Sequence, residues 1–376
     1  MQRRAFPKIP DLEISILGFG AMRLPTIKGD GRIDEEPATR LTHELIRAGV
    51  NYIDTAWVYH GGESETFLGR ALRGGWREKV QLATKCPVWD MKSTADFERV
   101  LDQQLEKLGT DRIDFYLLHA ISAEPWEKVK KLQGVEALEK ARADGRIGHL
   151  GFSFHGPCDE FKKIVDDYDW EFTQIQLNYL DQGFQAGLEG LAHAAARRVG
   201  VIVMEPLRGG ALATTPAPVR EILGRGGRPW SPAEWAMRWV WSQPGVVTAL
   251  SGMGNPEQAL ENARAAVGAA ALGADELRRI EEARAFYEEK MAVPCTTCGY
   301  CQPCPNGVAI ADIFNAWNTG RMFDDHAQGA WMYKTFQLGN GAGADKCEEC
   351  GDCEPRCPQQ IAIGEKLQVA HDYLMR

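Results

Sequence analysis

Residues 51–85, "NYIDTAWVYHGGESETFLGRALRGGWREKVQLATK", contain the unit that decides the fold. "NYIDTA" is a short β-branched and aromatic run that ends in polar residues. Ser64–Leu72 then places apolar residues at helical spacing, and "VQLATK" is a second strand run, ending in a lysine. Strand, helix, strand in that order predicts a parallel pair joined by a crossover. The same alternation fills residues 12–270. The strand runs are "ISILGFG", "NYIDTA", "VQLATK", "DFYLLHA", "IGHLGFSF", "FTQIQLNYL", "VIVMEPL" and "VVTALSG". Helical patterns lie between or after them at 36–48, 64–72, 95–108, 126–143, 159–168, 188–198, 231–241 and 256–266. Ser231-Pro232 and Asn255-Pro256-Glu257 are helix starts, and Gly49, Gly109 and Gly200 are stops. Eight strand–helix pairs predict an α/β fold, a (β/α)₈ TIM barrel rather than an open doubly wound sheet. No G-x-G-x-x-G opens a helix after an early strand, so a Rossmann dinucleotide site has no support.

Composition bounds the function classes. The chain has 376 residues, 44% hydrophobic and 25% charged, which suits a soluble globular protein with a core of normal size. The net charge of -9 supplies no basic excess to neutralise phosphates, so neither nucleic acid nor an anionic membrane is expected as a partner. No apolar run approaches the ~18 residues of a membrane span. Arg3-Arg4 followed by Phe6 resembles a twin-arginine export signal, but Asp11 and Glu13 interrupt the segment that follows, and a cytoplasmic enzyme is expected. Eight of the ten cysteines lie beyond residue 290, and a disulfide framework is not expected. Cys86 and Cys158 are expected as buried thiols.

Chemistry in a TIM barrel sits where the strands end. Asp54 ends the second strand run, Tyr59 follows five residues later, Lys85 ends the third and His119 lies at the end of the fourth. Singly each has an ordinary structural role. Together they form a coherent proton relay. A phenol with a pKa near ~10 needs help to act near neutrality, an ammonium beside it stabilises phenolate, and a buried ammonium needs a carboxylate. His119 can orient a carbonyl oxygen. Such a site protonates an alkoxide as hydride reaches carbon. Trp57, His60, Trp89, Trp126 and Phe154 are candidate lining residues.

Over residues 8–270 the chain resembles the aldo-keto reductases: "LGFGAMRLP", "NYIDTAWVYHGGESE", "LATK" and "DFYLLHA" match that family's motifs in order and spacing. The resemblance implies Tyr59 as general acid, Lys85 and Asp54 as the groups that tune it, and His119 as the substrate-orienting residue. It also implies a nicotinamide nucleotide extended across the barrel mouth. Ser153 and Gln174 match positions that hold the carboxamide and the nicotinamide face. Met204 stands where the family usually stacks an aromatic on nicotinamide. "MEPLRGGAL", with Leu207 and Arg208, matches the loop after strand seven. "SGMGNPEQALEN", with Gly252, Met253, Gln258, Glu261 and Asn262, matches the adenosine-phosphate loop. That loop lacks the Arg or Lys that usually grips a 2′-phosphate, while Arg208 and Arg264 could substitute, so NADP and NAD both stay open. Ser153-Phe154-His155 replaces the more usual Ser-Asn.

The composition changes after "AVPC". "CTTCGYCQPCP" (295–305) is C-x₂-C-x₂-C-x₂-C-P, and "CEECGDCEPRCP" (347–358) is C-x₂-C-x₂-C-x₃-C-P. The second is the bacterial ferredoxin run, whose fourth cysteine ligates the other cluster. Two 4Fe–4S clusters are expected. One takes Cys295, Cys298, Cys301 and Cys357, the other Cys347, Cys350, Cys353 and Cys304; the first motif has one residue fewer before its last cysteine, and the alternative is one cluster on each quartet. Two Cys₄ zinc sites are the competing assignment, although zinc ribbons usually separate their cysteine pairs by a loop. Helices are expected at 308–320 and 326–339. The predicted domains are 1–290, barrel plus connector helix, and 291–376, a ferredoxin-like, mainly helical iron–sulfur domain. The whole pattern is similar to the iron–sulfur-containing branch of the aldo-keto reductases. The expected function is NAD(P)-dependent carbonyl reduction or alcohol oxidation, with the clusters exchanging electrons with a redox-protein partner. A flavin is the group that would join two-electron to one-electron chemistry, and barrels can hold one without a sequence motif. The alternatives are clusters with a purely structural role and a non-catalytic electron-transfer protein on a retired barrel.

Overall fold

The computed structural model describes residues 1–28, 31–295, 297, 299–357 and 359–376. Contacts divide the chain into two units, Met1–Gly210 with Ala233–Leu272, and Ala211–Pro232 with Gly273–Arg376. The first unit holds β1 (Arg3–Phe6), β2 (Ile9–Ser15), β3 (Leu17–Gly20), β4 (Tyr52–Asp54), β5 (Gln81–Cys86), β6 (Ile113–Ile121), β7 (Ile147–Phe154), β8 (Phe172–Gln176), β9 (Gly200–Met204) and β10 (Val246–Ser251). β3 to β10 close into a barrel in the order β10-β3-β4-β5-β6-β7-β8-β9. Every pair is parallel, as at Ile53↔Leu82, Lys85↔Leu117 and Ser153↔Gln174.

The crossovers are α1 (Glu35–Arg47), α2 (Ser64–Ala71), α3 (Thr94–Leu108), α4 (Ala123–Lys131), α5 (Gly134–Ala143), α6 (Cys158–Asp167) and α7 (Gly187–Ala196). α8 (Ala217–Gly224) falls in the second unit, and α9 (Pro232–Ser242) and α10 (Pro256–Val267) complete the set. Most bury one stripe, whereas α9 is buried all round from Trp235 to Trp241. On α3 the stripe is Phe97, Val100, Leu101 and Leu108, and burying each such side chain contributes about 1.5–3 kcal/mol. The expected helix over 126–143 is two helices. Gln133 takes a left-handed conformation (φ 52°) and ends the first. Gly134 starts the second against Phe97, where a Cβ would stand 2.4 Å from the ring.

The first expected strand also divides. Its start lies in β2, which pairs antiparallel with β1, and the barrel strand begins at Leu17. Apolar residues of this hairpin, Phe6 and Ile14, pack with Tyr52, Phe115, Phe172 and Val247 near the strand starts. Phe6 lies so close to Gly200 that a Cβ there would sit 2.3 Å from its ring. Arg4 donates to the carbonyls of Val246 and Trp241 at 2.6 Å each. Among the described residues no helix is long and apolar enough to cross a membrane.

The second unit contains α8, α11 (Ala274–Lys290), α12 (Ile310–Met322), α13 (His326–Met332) and α14 (Ile363–Met375). α13 runs on as a π-helical turn over Tyr333–Leu338. Its core joins Val293, Ile313, Phe314, Tyr333, Ile363 and Leu374. Cys295, Cys304, Cys347, Cys353 and Cys357 pack against that core, half-buried.

Candidate active site and cysteine sites

One rule of strand geometry explains how the barrel's polar groups converge. Side chains two residues apart on a strand face the same side. Tyr52, Ala83, Leu117, Phe172, Ile202 and Leu250 all belong to the barrel core. Two positions further along the same strands, or just past their ends, come Asp54, Lys85, His119, Gln174, Met204 and Gly252. The inward face therefore changes from apolar to polar at the strands' C-terminal end.

Lys85 is the centre of the group. Its Nζ donates to Asp54 Oδ1 at 2.6 Å, to the Thr55 carbonyl at 2.6 Å and to Tyr59 Oη at 3.4 Å. Asp54 and Lys85 are 2% and 1% exposed, so the pair is out of reach of solvent screening. Tyr59 comes from the turn after β4, and the His119 ring meets it edge-on at 6.3 Å. Burial lowers the Lys85 pKa, but the charges and hydrogen bonds of Asp54 and Tyr59 raise it further, and it stays an ammonium. Burial raises the Tyr59 pKa, with Lys85 pulling the other way and Asp54 and Glu205 adding to the rise. Lys85 lowers this pKa as its position in the sequence implies, but burial outweighs it. Burial, then the charge of Lys85, takes the His119 pKa down to about 3, so its imidazole is neutral.

A second layer behind β5 was not legible in the sequence. Glu65, fully buried at the start of α2, accepts from Thr84 Oγ1 at 2.7 Å, Gln104 Nε2 at 2.5 Å and Lys107 Nζ at 3.4 Å. Gln104 also donates to the Lys85 carbonyl at 3.0 Å, which fixes the strand carrying the ammonium. A glutamate in a first helical turn reads as exposed, and nothing local marks it as buried.

The nucleotide candidates fall in two groups. Ser153 is buried and its Oγ accepts the Ala120 N–H at 2.9 Å. Gln174 is buried, donates to the Met204 sulfur at 3.6 Å, and its Oε1 has no partner. An orphaned amide oxygen beside a hydroxyl fits a carboxamide. Leu207 is half-buried, and Arg208 Nε is paired with Asp181 at 3.2 Å. Further on, Gly252 lies against the Arg23 side chain, where a Cβ would come within 3.0–3.2 Å. Met253 is buried, Gln258 Oε1 accepts the Gly254 N–H at 2.9 Å, and Asn262 donates to Ser251 Oγ at 3.1 Å. Glu261 is half-buried on α10.

Of the lining candidates, Trp89 is exposed and 5.1 Å from the His119 ring. His60 Nε2 accepts the Leu24 N–H at 3.2 Å. Trp57 packs under Lys107 of α3, with Nζ 3.7 Å from its centroid. Trp126 and Phe154 do not line a mouth. Trp126 is buried and donates to Asp167 at 2.8 Å, and Phe154 is buried against Phe161. Cys86 is buried, and burial pushes its thiol up to about 12, whereas Cys158 is half-buried rather than fully so.

In the second unit two cavities have cysteines among their lining residues. One is lined by Cys304, Cys347, Cys350 and Cys353, with Cys301 on its wall. The other is lined by Cys295, Cys301 and Cys357. Each cavity draws cysteines from both motifs. Cys298 lies outside the described residues. Among those described, no three His, Cys, Asp or Glu side chains converge on the position of one metal ion. Soft thiolates around a cavity fit an iron–sulfur cluster.

Two family models match the chain, the aldo/keto reductase family over residues 16–285 and the 4Fe-4S dicluster domain over 294–362. The chain belongs to the aldo/keto reductase family. It is an oxidoreductase of that type with a C-terminal 4Fe–4S domain. It is 29% identical to L-galactose dehydrogenase of Arabidopsis thaliana over 54% of this chain and 64% of that one, a little under two thirds of the plant enzyme's length. It is 27% identical to the NADH-specific methylglyoxal reductase of Escherichia coli, over 69% and 93% of the two chains. Among solved structures, the holo form of an aldo-keto reductase from Bacillus halodurans superposes with a TM-score of 0.64 at 27% identity, covering 75% of this chain and 96% of that one. An aldo-keto reductase from Klebsiella pneumoniae in complex with NADPH shares the fold, with a TM-score of 0.62 at 23% identity over 75% and 95%.

Proposed function

We propose that this aldo-keto reductase reduces the carbonyl of a small molecule, or oxidises the matching alcohol, with Tyr59 as general acid/base. The observation that carries the proposal is the Lys85 ammonium, 2.6 Å from Asp54 and 3.4 Å from Tyr59 Oη. When bound, a nicotinamide nucleotide supplies hydride to the carbonyl carbon. Tyr59 Oη donates its proton to the carbonyl oxygen, and burial keeps that proton in place until it is needed. Lys85 stabilises the phenolate left behind and Asp54 holds Lys85 in position. Neutral His119 donates a hydrogen bond that orients the same oxygen. Ser153, Gln174, Met204, Leu207 and Arg208 hold the nicotinamide end. Gly252, Met253, Gln258, Glu261 and Asn262 hold the adenosine end. NAD is supported by the name of one relative, an NADH-specific reductase, and NADP stays its alternative.

The cavities support two 4Fe–4S clusters, one on Cys295, Cys298, Cys301 and Cys357, the other on Cys304, Cys347, Cys350 and Cys353. They exchange electrons with a redox-protein partner in the cytoplasm. Function divides between a barrel with its connector helix, 1–290, and a ferredoxin-like domain, 291–376.

An anaerobic preparation tests this. Iron, sulfide, flavin and nucleotide are quantified, and aldehyde reduction is measured with NADPH and NADH. The expected result is eight irons per chain, from about four per 4Fe–4S cluster, and turnover that Tyr59→Phe abolishes. Full turnover by Tyr59→Phe would remove the assigned acid, and zinc in place of iron and sulfide would remove the clusters.

A further inference from the structure

A second imidazole stands at the barrel mouth, and the reaction above gives it no role. His155 follows β7 directly. Along that strand Ser153 is buried on the inner side, while Phe154 turns outward onto Phe161 of α6, their centroids 5.1 Å apart. Alternation returns His155 to the inner side. Its backbone N–H donates to the Ile121 carbonyl at 3.2 Å, which anchors it at the end of β6. Leu118 pairs with Phe152 and Ile121 with Phe154 across a register shift, so His155 stands two to three residues, roughly 7–10 Å, beyond the level of His119 on the neighbouring strand. The charge of Lys85 acts on His155, and His155 acts in turn on His119.

Gln185, from the loop after β8, fixes the ring. Its Nε2 donates to His155 Nδ1 at 3.4 Å. Gln185 has a φ of 54°, a left-handed conformation that favours glycine, so the loop holds this side chain under backbone strain. With Nδ1 accepting, the ring proton sits on Nε2. The ring is exposed to solvent, yet desolvation by the surrounding protein is the largest influence on its pKa and lowers it. At neutral pH His155 is then an uncharged donor. The carboxylate of Glu205 is near enough to Tyr59 to raise its pKa, so an anionic substrate group would meet like charge there. A neutral oxygen would not.

We propose that His155, positioned by Gln185, donates a hydrogen bond to a hydroxyl one or two carbons from the reacting carbonyl, so that the enzyme prefers hydroxyaldehydes to unsubstituted aldehydes. The proposal rests on the carbonyl reduction described above. A site that hydrogen-bonds a substrate hydroxyl discriminates strongly against the analogue that lacks it, because the site's polar group is left unpaired.

The test compares glyceraldehyde with propanal, which share a three-carbon skeleton. kcat and KM are measured for wild type, His155→Ala, His155→Gln and Gln185→Leu, each checked for folding by circular dichroism. The preference, kcat/KM for glyceraldehyde over that for propanal, is expected to fall at least about tenfold in His155→Ala, mainly through KM. His155→Gln, which keeps an N–H donor, is expected to retain more of the preference than Ala, and Gln185→Leu to fall between wild type and Ala. An unchanged preference in both His155 variants overturns the proposal, whatever their absolute rates. Wild type that reduces neither aldehyde with either nucleotide overturns the carbonyl reduction itself, and this inference with it.

Discussion

Replacing Lys85 separates its role in stability from its role in chemistry. The Asp54–Lys85 pair is 2.6 Å long and almost fully buried. At an effective dielectric of ~20, two unit charges at that separation attract by about 6 kcal/mol, and desolvation offsets much of this. Lys85→Met leaves the Asp54 carboxylate buried without its cation, and Asp54 Oδ2 already lacks a partner. Breaking one side of such a pair destabilises by about 3–5 kcal/mol. Asp54→Asn strands the ammonium instead and falls in the same range. Removing both charges together leaves neither ion stranded, so the double variant should be more stable than Lys85→Met alone by at least about 2 kcal/mol. Activity should not recover with stability, because the ammonium beside Tyr59 is missing from both. A loss of 10²–10⁴ in kcat, the usual range for acid–base assistance, is expected in each. Urea unfolding followed by tryptophan fluorescence gives the stabilities, and nucleotide oxidation with an aldehyde gives the rates. Additive destabilisation in the double variant would refute the coupling. Wild-type turnover in Lys85→Met would refute the role of the ammonium.

Reduction needs a protonated Tyr59 and a neutral His119. The Tyr59 pKa is raised above its ordinary 10.0 and that of His119 is lowered to about 3. Reductive turnover should therefore be flat through neutrality and lost only as pH rises past the phenol's range, while alcohol oxidation, which needs phenolate, should climb with pH; a break near pH 6.5 would contradict the His119 assignment. Cys357→Ser should alter the cluster that uses Cys295 and Cys301, and Cys304→Ser the other, read by iron content and the two clusters' paramagnetic resonance signals; loss within each variant's own motif would reverse the crossing. Gly200→Ala should destabilise the protein by about 1–3 kcal/mol in urea, because its Cβ would meet Phe6 at 2.3 Å. Anaerobic addition of reduced nucleotide should bleach the cluster absorbance, and unchanged absorbance with intact turnover would show that the two chemistries are not joined.

The barrel was legible because its strand–helix alternation is local, and each run carries its own period and stop signals. The polar residues at strand ends were legible for the same reason, since register along a strand decides which side chains face inward. The remaining features depend on contacts distant in sequence. β1 and β2 are short and polar at several positions, and only their packing beneath Tyr52, Phe115 and Phe172 makes Phe6 and Ile14 core residues. Glu65 is buried because Thr84, Gln104 and Lys107 come to it from another strand and helix. Trp126 and Phe154 were candidates for the lining, but Trp126 is held by Asp167 and the pleat of β7 turns Phe154 outward onto Phe161. The helix expected over 126–143 breaks where Gly134 must pass Phe97, a contact between two helices that no window along the chain contains.

The cysteine motifs raise a question of electron count that bears on the chemistry proposed for the barrel. Hydride moves two electrons, whereas a 4Fe–4S cluster moves one at a time. Two clusters would match a hydride in electron count, one electron each, but only behind a carrier such as a flavin that releases its electrons singly. On the proposed ligand sets the two clusters would be neighbours, because Cys301 lines both cavities. That residue is buried, while Cys350 in the second motif is exposed. The cavity with Cys350 thus carries an exposed cysteine, and the cavity with Cys295 and Cys357, both half-buried, is lined also by Phe314 and Ile363. Exposure and hydrogen bonding to sulfur tune cluster potentials, so two sites this unlike should differ in potential. Hydride from a nicotinamide would reach such a pair only through a carrier, such as a flavin, that accepts two electrons and releases them singly, so the bleaching experiment and the flavin assay together decide between electron transfer and a structural role.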